Sequence, residues 1–346
     1  MEKTSKEFII LEDKEEKIKN KKNIIDLTKD SFVYIDLVNT FVIFNSINDI
    51  LYLIYSTKKN SIICYNLNQF KITSEIKNCH NEHITNIIHY LDKKSKRNLI
   101  MSISFEDNNI KLWNINNCEC ILNILHVNNI GFLPSACILN ENNYNYIISS
   151  NCNYKNIFEP IKIFDFNGNK IKEINNSNDK TYIIIKFYDI TSNKNFIITG
   201  NWDYVKSYDF SKNELYYKYY ECNNKGHGQI IINNSEKIVK LIESCVDGNI
   251  RIWNFHSGLF LQKIKVSDKP IFDFCLWNNK YLFVGCKDKT IKIIEIEKKS
   301  IIYNLIGHNN IVLTIKRIFH PKYGQCLISQ GNENDQIKLW TNIDYL

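Results

Sequence analysis

The sequence predicts an all-β fold, a seven-bladed β-propeller built of four-stranded antiparallel blades. Three observations predict it. First, a short phrase that reads as a tight turn followed by a strand recurs along the chain: DGNIRIWN at 247–254, DNNIKLWN at 107–114, DKTIKIIE at 288–295 and NDQIKLWT at 334–341. Weaker copies read PIKIFD at 160–165, YVKSYD at 204–209 and SIICYN at 61–66. Second, the final large residue of each copy gives Tyr65, Trp113, Phe164, Tyr208, Trp253, Ile294 and Trp340, spaced by 41 to 51 residues. That period is close to the ~40–45 residues of a propeller blade and far from the ~34 of a helical pair repeat. Third, short apolar runs separated by polar turns follow one another from Asn23 onward without a helical period.

Taken in order, residues 1–22 are dominated by Lys and Glu and read as a charged, disordered tail that builds no core. Residues 23–346 read as one closed repeat domain, because a stacked array can carry one continuous core across that length. The first unit has strands near 40–44, 50–55, 61–66 and 70–76, and the second near 84–90, 98–104, 110–114 and 119–124. Later units centre on the remaining large residues. With 11 Gly and 4 Pro, the chain has too few ordinary turn residues for so many hairpins. Asparagine, which tolerates positive φ, takes over, as pairs such as Asn142-Asn143 and Asn278-Asn279 suggest. The last unit stops at Trp340 with too little chain left for a fourth strand. An N-terminal strand, either 24–27 or 32–37, is therefore expected to complete the last blade and close the ring.

The formal net charge is +7, but Arg97, Arg251 and Arg317 are the only arginines. Scattered lysine solvates a surface, whereas nucleic-acid readers cluster planar, bidentate arginine, so no nucleic-acid partner is expected. The 11 cysteines contain no CxxC pair and fall at strand positions, which suits buried thiols in a reducing cytoplasmic or nuclear setting. No apolar stretch is long and uninterrupted enough for a transmembrane segment. The chain has no GxSxG elbow, no phosphate-binding glycine loop and no paired metal-ligand motif. Cys79, His80, His83 and His89 are the one cluster with metal-ligand residue types, and they lack a matching partner pair. The expectation is a protein that is not an enzyme and that needs no cofactor and no metal.

The repeated phrase resembles the WD40 repeat family over about 23–346. Gly307-His308 resembles that family's GH dipeptide, while Asn254 and Thr341 stand where its Asp follows Trp. The resemblance implies a polar network in each blade, linking His, Ser or Thr, turn Asp and Trp. By position the sets are His80, Ser102, Asp107 and Trp113; His227, Ser244, Asp247 and Trp253; and His308, Ser329, Asp335 and Trp340. It also implies that partners touch the residue before the turn Asp, which gives Glu106, Trp202, Val246, Lys287 and Asn334. Phe158 would extend the patch on the same rim, and Trp277 is the alternative centre on the opposite face. The function implied is a non-catalytic scaffold or adaptor, a monomeric propeller inside a hetero-complex. The alternative is a lysine-rich propeller that binds anionic membrane lipid or nucleic acid.

Overall fold

The computed structural model describes residues 24–26 and 41–341, except 47–48, 58, 82, 93, 105–108, 126–134, 151–159, 175–176, 178–180, 202, 221–226, 235–237 and 333–336. The charged tail at 1–22 and the alternative closing segment at 32–37 lie outside the described residues. Every regular element among the described residues is a β-strand. Six four-stranded antiparallel sheets follow in chain order over 41–76, 84–125, 136–173, 183–220, 227–265 and 271–306. Three further strands, Val312–His320, Gly324–Gly331 and Ile337–Trp340, make the seventh blade. The backbone of Ile24–Asp26 lies antiparallel to the last of these, with Ile24 opposite Trp340 and Asp26 opposite Lys338.

The aligned large residue has a fixed structural meaning. In blades one to six the pairing of third and fourth strands slips by one residue just before it, at Cys64/Tyr65, Leu112/Trp113, Ile163/Phe164, Ser207/Tyr208, Ile252/Trp253 and Ile293/Ile294. A bulge there bends the strand and re-aims the side chain, so a large residue at this position meets the neighbouring blade. Each blade has apolar residues on both faces and must be covered by its neighbours. Seven apolar clusters do this, one at each seam. Trp113 of blade two, for example, packs with Ile54, Ile62 and Cys64 of blade one. The ring closes in the same way: Leu313, Ile328 and Leu339 of blade seven pack with Phe41, Leu53 and Tyr65 of blade one. His320 of blade seven also lies 3.0 Å from the Leu67 carbonyl of blade one.

Asparagine does supply the turns. Eight of the fourteen described non-glycine residues at positive φ are Asn, including Asn142, Asn143, Asn278 and Asn279. At Asn116-Asn117 the left-handed position falls one residue later, on Cys118 at φ 58°. Glycine is kept where a side chain has no room. At Gly258, φ +64°, an added Cβ would lie 1.6 Å from the ring of Tyr217 in the preceding blade.

Candidate functional site

In blades one to five the residue after the aligned large side chain ends the third strand and caps the next turn. Asn66 Oδ1 accepts the Gln69 amide at 3.0 Å, Asn114 that of Asn116 at 3.1 Å, Asp165 that of Asn167 at 2.9 Å, Asp209 that of Ser211 at 3.1 Å and Asn254 that of His256 at 3.0 Å. In these five blades a short side-chain oxygen suffices whether or not it is charged, so Asn and Asp both serve, while blade six has Glu295 paired with Lys280 and Lys298.

Among the described residues two blades carry a linked His, Ser and Trp. His80 Nε2 lies 2.7 Å from Ser102 Oγ, which accepts the Trp113 indole N–H at 2.8 Å. His308 Nε2 and the Trp340 indole each lie 2.6 Å from Ser329 Oγ. Both serines are fully buried. Ser102→Ala strands a buried indole N–H and an imidazole nitrogen, so it is expected to lower stability by about 1–3 kcal/mol, read as a shifted urea midpoint. Val284, at the corresponding position of blade six, shows that a blade can also be built with an apolar residue there.

The third set differs from expectation. The Trp253 indole donates to Glu243 Oε1 at 2.9 Å, and Ser244 Oγ has no hydrogen-bond partner among the described residues. The register gives the reason. Trp113 pairs with Ile100 and Trp340 with Leu327, each two residues before its serine, whereas Trp253 pairs with Leu241, two before Glu243. Side chains alternate along a strand, so a one-residue offset puts Ser244 on the other face. The side chains of His227, Asp107 and Asp335, expected in these networks, lie outside the described residues.

Asp247 caps the turn into its own strand. Its Oδ1 accepts the Asn249 amide at 3.1 Å and its Oδ2 lies 2.6 Å from Arg251 Nη2, both side chains being buried. Gly248 sits inside that turn at φ +75°, where a Cβ would strike the Ser267 carbonyl. Asp288, Thr290 and Lys292 repeat the arrangement in blade six. The basic residue two before the large one, as in IKLW, was not singled out from the sequence. Lys111 Nζ donates to the Cys79 carbonyl at 2.7 Å and Lys292 Nζ to the Val266 carbonyl at 3.2 Å, so these lysines tie down the loops that enter their blades.

Burial alone would raise the Asp247 pKa, but hydrogen bonds from Arg251 and Asn249 and the guanidinium charge outweigh it and hold it at about 2. A depressed carboxylate pKa stabilises the fold above the unfolded value of about 3.9, and this contribution disappears as pH falls through the folded value. Asp247→Asn is therefore expected to melt below the parent at neutral pH. Between about pH 4 and pH 2 the two melting curves should converge.

A second polar centre was also missed. Asp273, on the innermost strand of blade six, accepts Gln229 Nε2 of blade five at 3.0 Å and its own neighbour's amide, Phe274, at 2.8 Å. Its other oxygen accepts the Ile315 amide of blade seven at 2.8 Å and Lys316 Nζ at 3.2 Å. One buried carboxylate thus joins three consecutive blades. A lone Asp in an apolar run, FDFC, carries no motif that would announce this.

Val246 and Lys287 occupy corresponding turns between second and third strands in blades five and six, and both are exposed. Glu106, Phe158, Trp202 and Asn334 lie outside the described residues. Trp277 offers no surface: it is 1% exposed, packs on Phe283 and is covered by the Arg317 guanidinium. The Cys79, His80, His83 and His89 cluster is dispersed. His80 meets Ser102, while His89 stacks on Phe44 and meets Asn98. Burial pushes the Cys79 thiol up to about 12, as it does those of Cys137 and Cys286, which disfavours the reactive thiolate. Among the described residues no three His, Cys, Asp or Glu side chains are grouped to hold a metal, and no helix is long and apolar enough to cross a membrane.

No family model matches the chain. A stretch of 127 residues is 24% identical to the probable coatomer subunit beta' of Schizosaccharomyces pombe, covering 35% of this chain and 16% of that protein. The similarity therefore spans a small part of the relative's length.

Proposed function

We propose, from the premise that the chain is a seven-bladed β-propeller of the WD40-repeat family, that it is a non-catalytic scaffold holding other proteins in a larger assembly, in the cytoplasm or nucleus. The observation that carries this reading is the use of the polar residues. Histidines, serines and carboxylates that would invite a catalytic reading are hydrogen-bonded into turns and blade seams, while Val246 and Lys287 stand exposed at equivalent turns of one face. The similar coatomer protein is by its name a subunit of an assembly, which supports the same role here. Partner contact is assigned to the loops between second and third strands, with Glu106, Trp202, Val246, Lys287 and Asn334 before the turn residue and Phe158 beside them. A chain carrying Trp202→Ala, Val246→Asp and Lys287→Glu should fold like the parent and lose its stoichiometric partners in native purification. Retention of every partner by the folded variant would place the binding surface elsewhere.

The proposal includes closure of the ring by the N-terminal strand. Pairing of Ile24–Asp26 with Ile337–Trp340 would give the last blade its fourth strand and cover an open sheet edge. Deleting 337–346 removes that pairing and Leu339 from the seam with blade one. The truncated chain is expected to be digested throughout by protease under native conditions. A compact, resistant fragment spanning blades one to six would contradict closure as the basis of stability.

A further inference from the structure

The innermost strands of successive blades lie side by side around the ring, so the turns joining first and second strands all emerge on one face, opposite to Val246 and Lys287. On that face, among the described residues, five hairpins carry exposed large apolar side chains: Leu91 in blade two, Tyr144 in blade three, Ile190 in blade four, Ile238 in blade five and Phe319 in blade seven. Three of them are more than half exposed, at 68% for Tyr144, 73% for Ile190 and 67% for Phe319. Exposed apolar residues are ordinary when scattered, but a repeated place at hairpin tips of one face is not scatter.

In two of these turns the carboxylate is engaged locally: Asp92 accepts the Lys94 amide and the Ser95 hydroxyl, and the buried Asp189 accepts the amides of Thr191 and Ser192. The cations Lys94, Lys96, Arg97 and Lys322 are exposed. In blades two and seven the apolar tips are thus flanked by exposed cations, while the hairpin of Tyr144 carries Glu141 and the corresponding turn of blade one carries Asp49.

We propose that this face docks on a bilayer bearing anionic lipid, the apolar tips entering the headgroup boundary and the cations meeting lipid phosphate and carboxylate. Two features favour a membrane over a protein or peptide. The tips belong to separate blades, and Phe319 and Tyr144 stand three blades apart around the ring, so an extended peptide would not cover them together while a plane would. Aromatic and aliphatic tips beside Lys and Arg also have the composition of an interfacial anchor, in which neither part suffices alone. This docking goes beyond the scaffold reading and uses the opposite face.

Flotation with phosphatidylcholine vesicles, with and without phosphatidylserine, tests it. The full chain should float with the mixed vesicles and remain behind with phosphatidylcholine alone. Ile190→Asp with Phe319→Asp should reduce flotation by about tenfold or more, and Lys94→Glu with Lys96→Glu by a comparable factor. All these positions are exposed, so each variant should melt with the parent. Trp202→Ala should float like the parent, which separates failure of this proposal from failure of the scaffold reading. Three results would overturn it: no flotation of the parent, flotation sensitive to the lysines but indifferent to Ile190 and Phe319, or light scattering that shows the face pairing two copies of the chain.

Discussion

Phe255→Ala is expected to cost about 3–5 kcal/mol, because the side chain is a buried bolt between blades four and five. Phe255 follows the turn cap Asn254 and is fully buried. Its ring sits edge-on to Phe187 and Phe196, with centroids 5.1 and 5.2 Å away, and is stacked on Tyr216 at 5.9 Å. Its backbone is held as well: the amide donates to the Val239 carbonyl at 2.8 Å and its carbonyl accepts the Tyr219 hydroxyl at 2.6 Å. Truncation leaves a cavity lined by the rings of blade four, which collapse can fill only in part. The urea midpoint should fall with an unchanged slope, since the transition still exposes the same surface. Phe319→Ala, at an exposed tip, is the control and should leave the midpoint alone. Equal losses for the two variants would remove the distinction between seam and surface on which this expectation rests.

Asp273→Ala should destabilise by a similar amount, about 3–5 kcal/mol, through unsatisfied polar groups and not through a cavity. The carboxylate collects Gln229, the Phe274 and Ile315 amides and Lys316, and its removal leaves three buried donors and a lysine without their acceptor. Asp273→Asn retains the shape and part of the accepting capacity, so it should fall between parent and alanine. Hydrogen exchange at the Phe274 and Ile315 amides gives the local reading. These amides should lose protection in Asp273→Ala before the distant amides of blade two do. Uniform loss across all blades with no local excess would contradict the role assigned to this carboxylate.

The two residues with the largest expected effects were not visible as such in the sequence, and the reason is the same for both. Their partners lie one blade away, about 40 to 70 residues along the chain, so no local spacing connects Phe255 to Phe187 or Asp273 to Ile315. What was legible is what repeats. The recurring turn-strand phrase located the third strand of every blade, and the four strands of blade one begin and end within one or two residues of the expected positions. Asn254 in place of Asp was readable as a departure from the repeat, and its bond to the His256 amide explains why the departure is harmless. Motif position alone points to Ser244, whereas strand parity, with Trp253 paired to Leu241, selects Glu243. Trp277, expected on the opposite face, belongs to the strand IFDFCLW, which places it beside the fully buried Phe283. The proposed binding face rests on loops, whose side chains obey no repeat.

Lysine-directed cross-linking of the chain in its native assembly, followed by mass spectrometry, tests the central claim most directly. Lys287 and Lys289 are exposed at the second-to-third strand turn of blade six, on the face assigned to partners. The scaffold account predicts cross-links from these lysines to other proteins and elution of the chain with those proteins. Cross-links confined within the chain, together with elution as a free monomer, would contradict it.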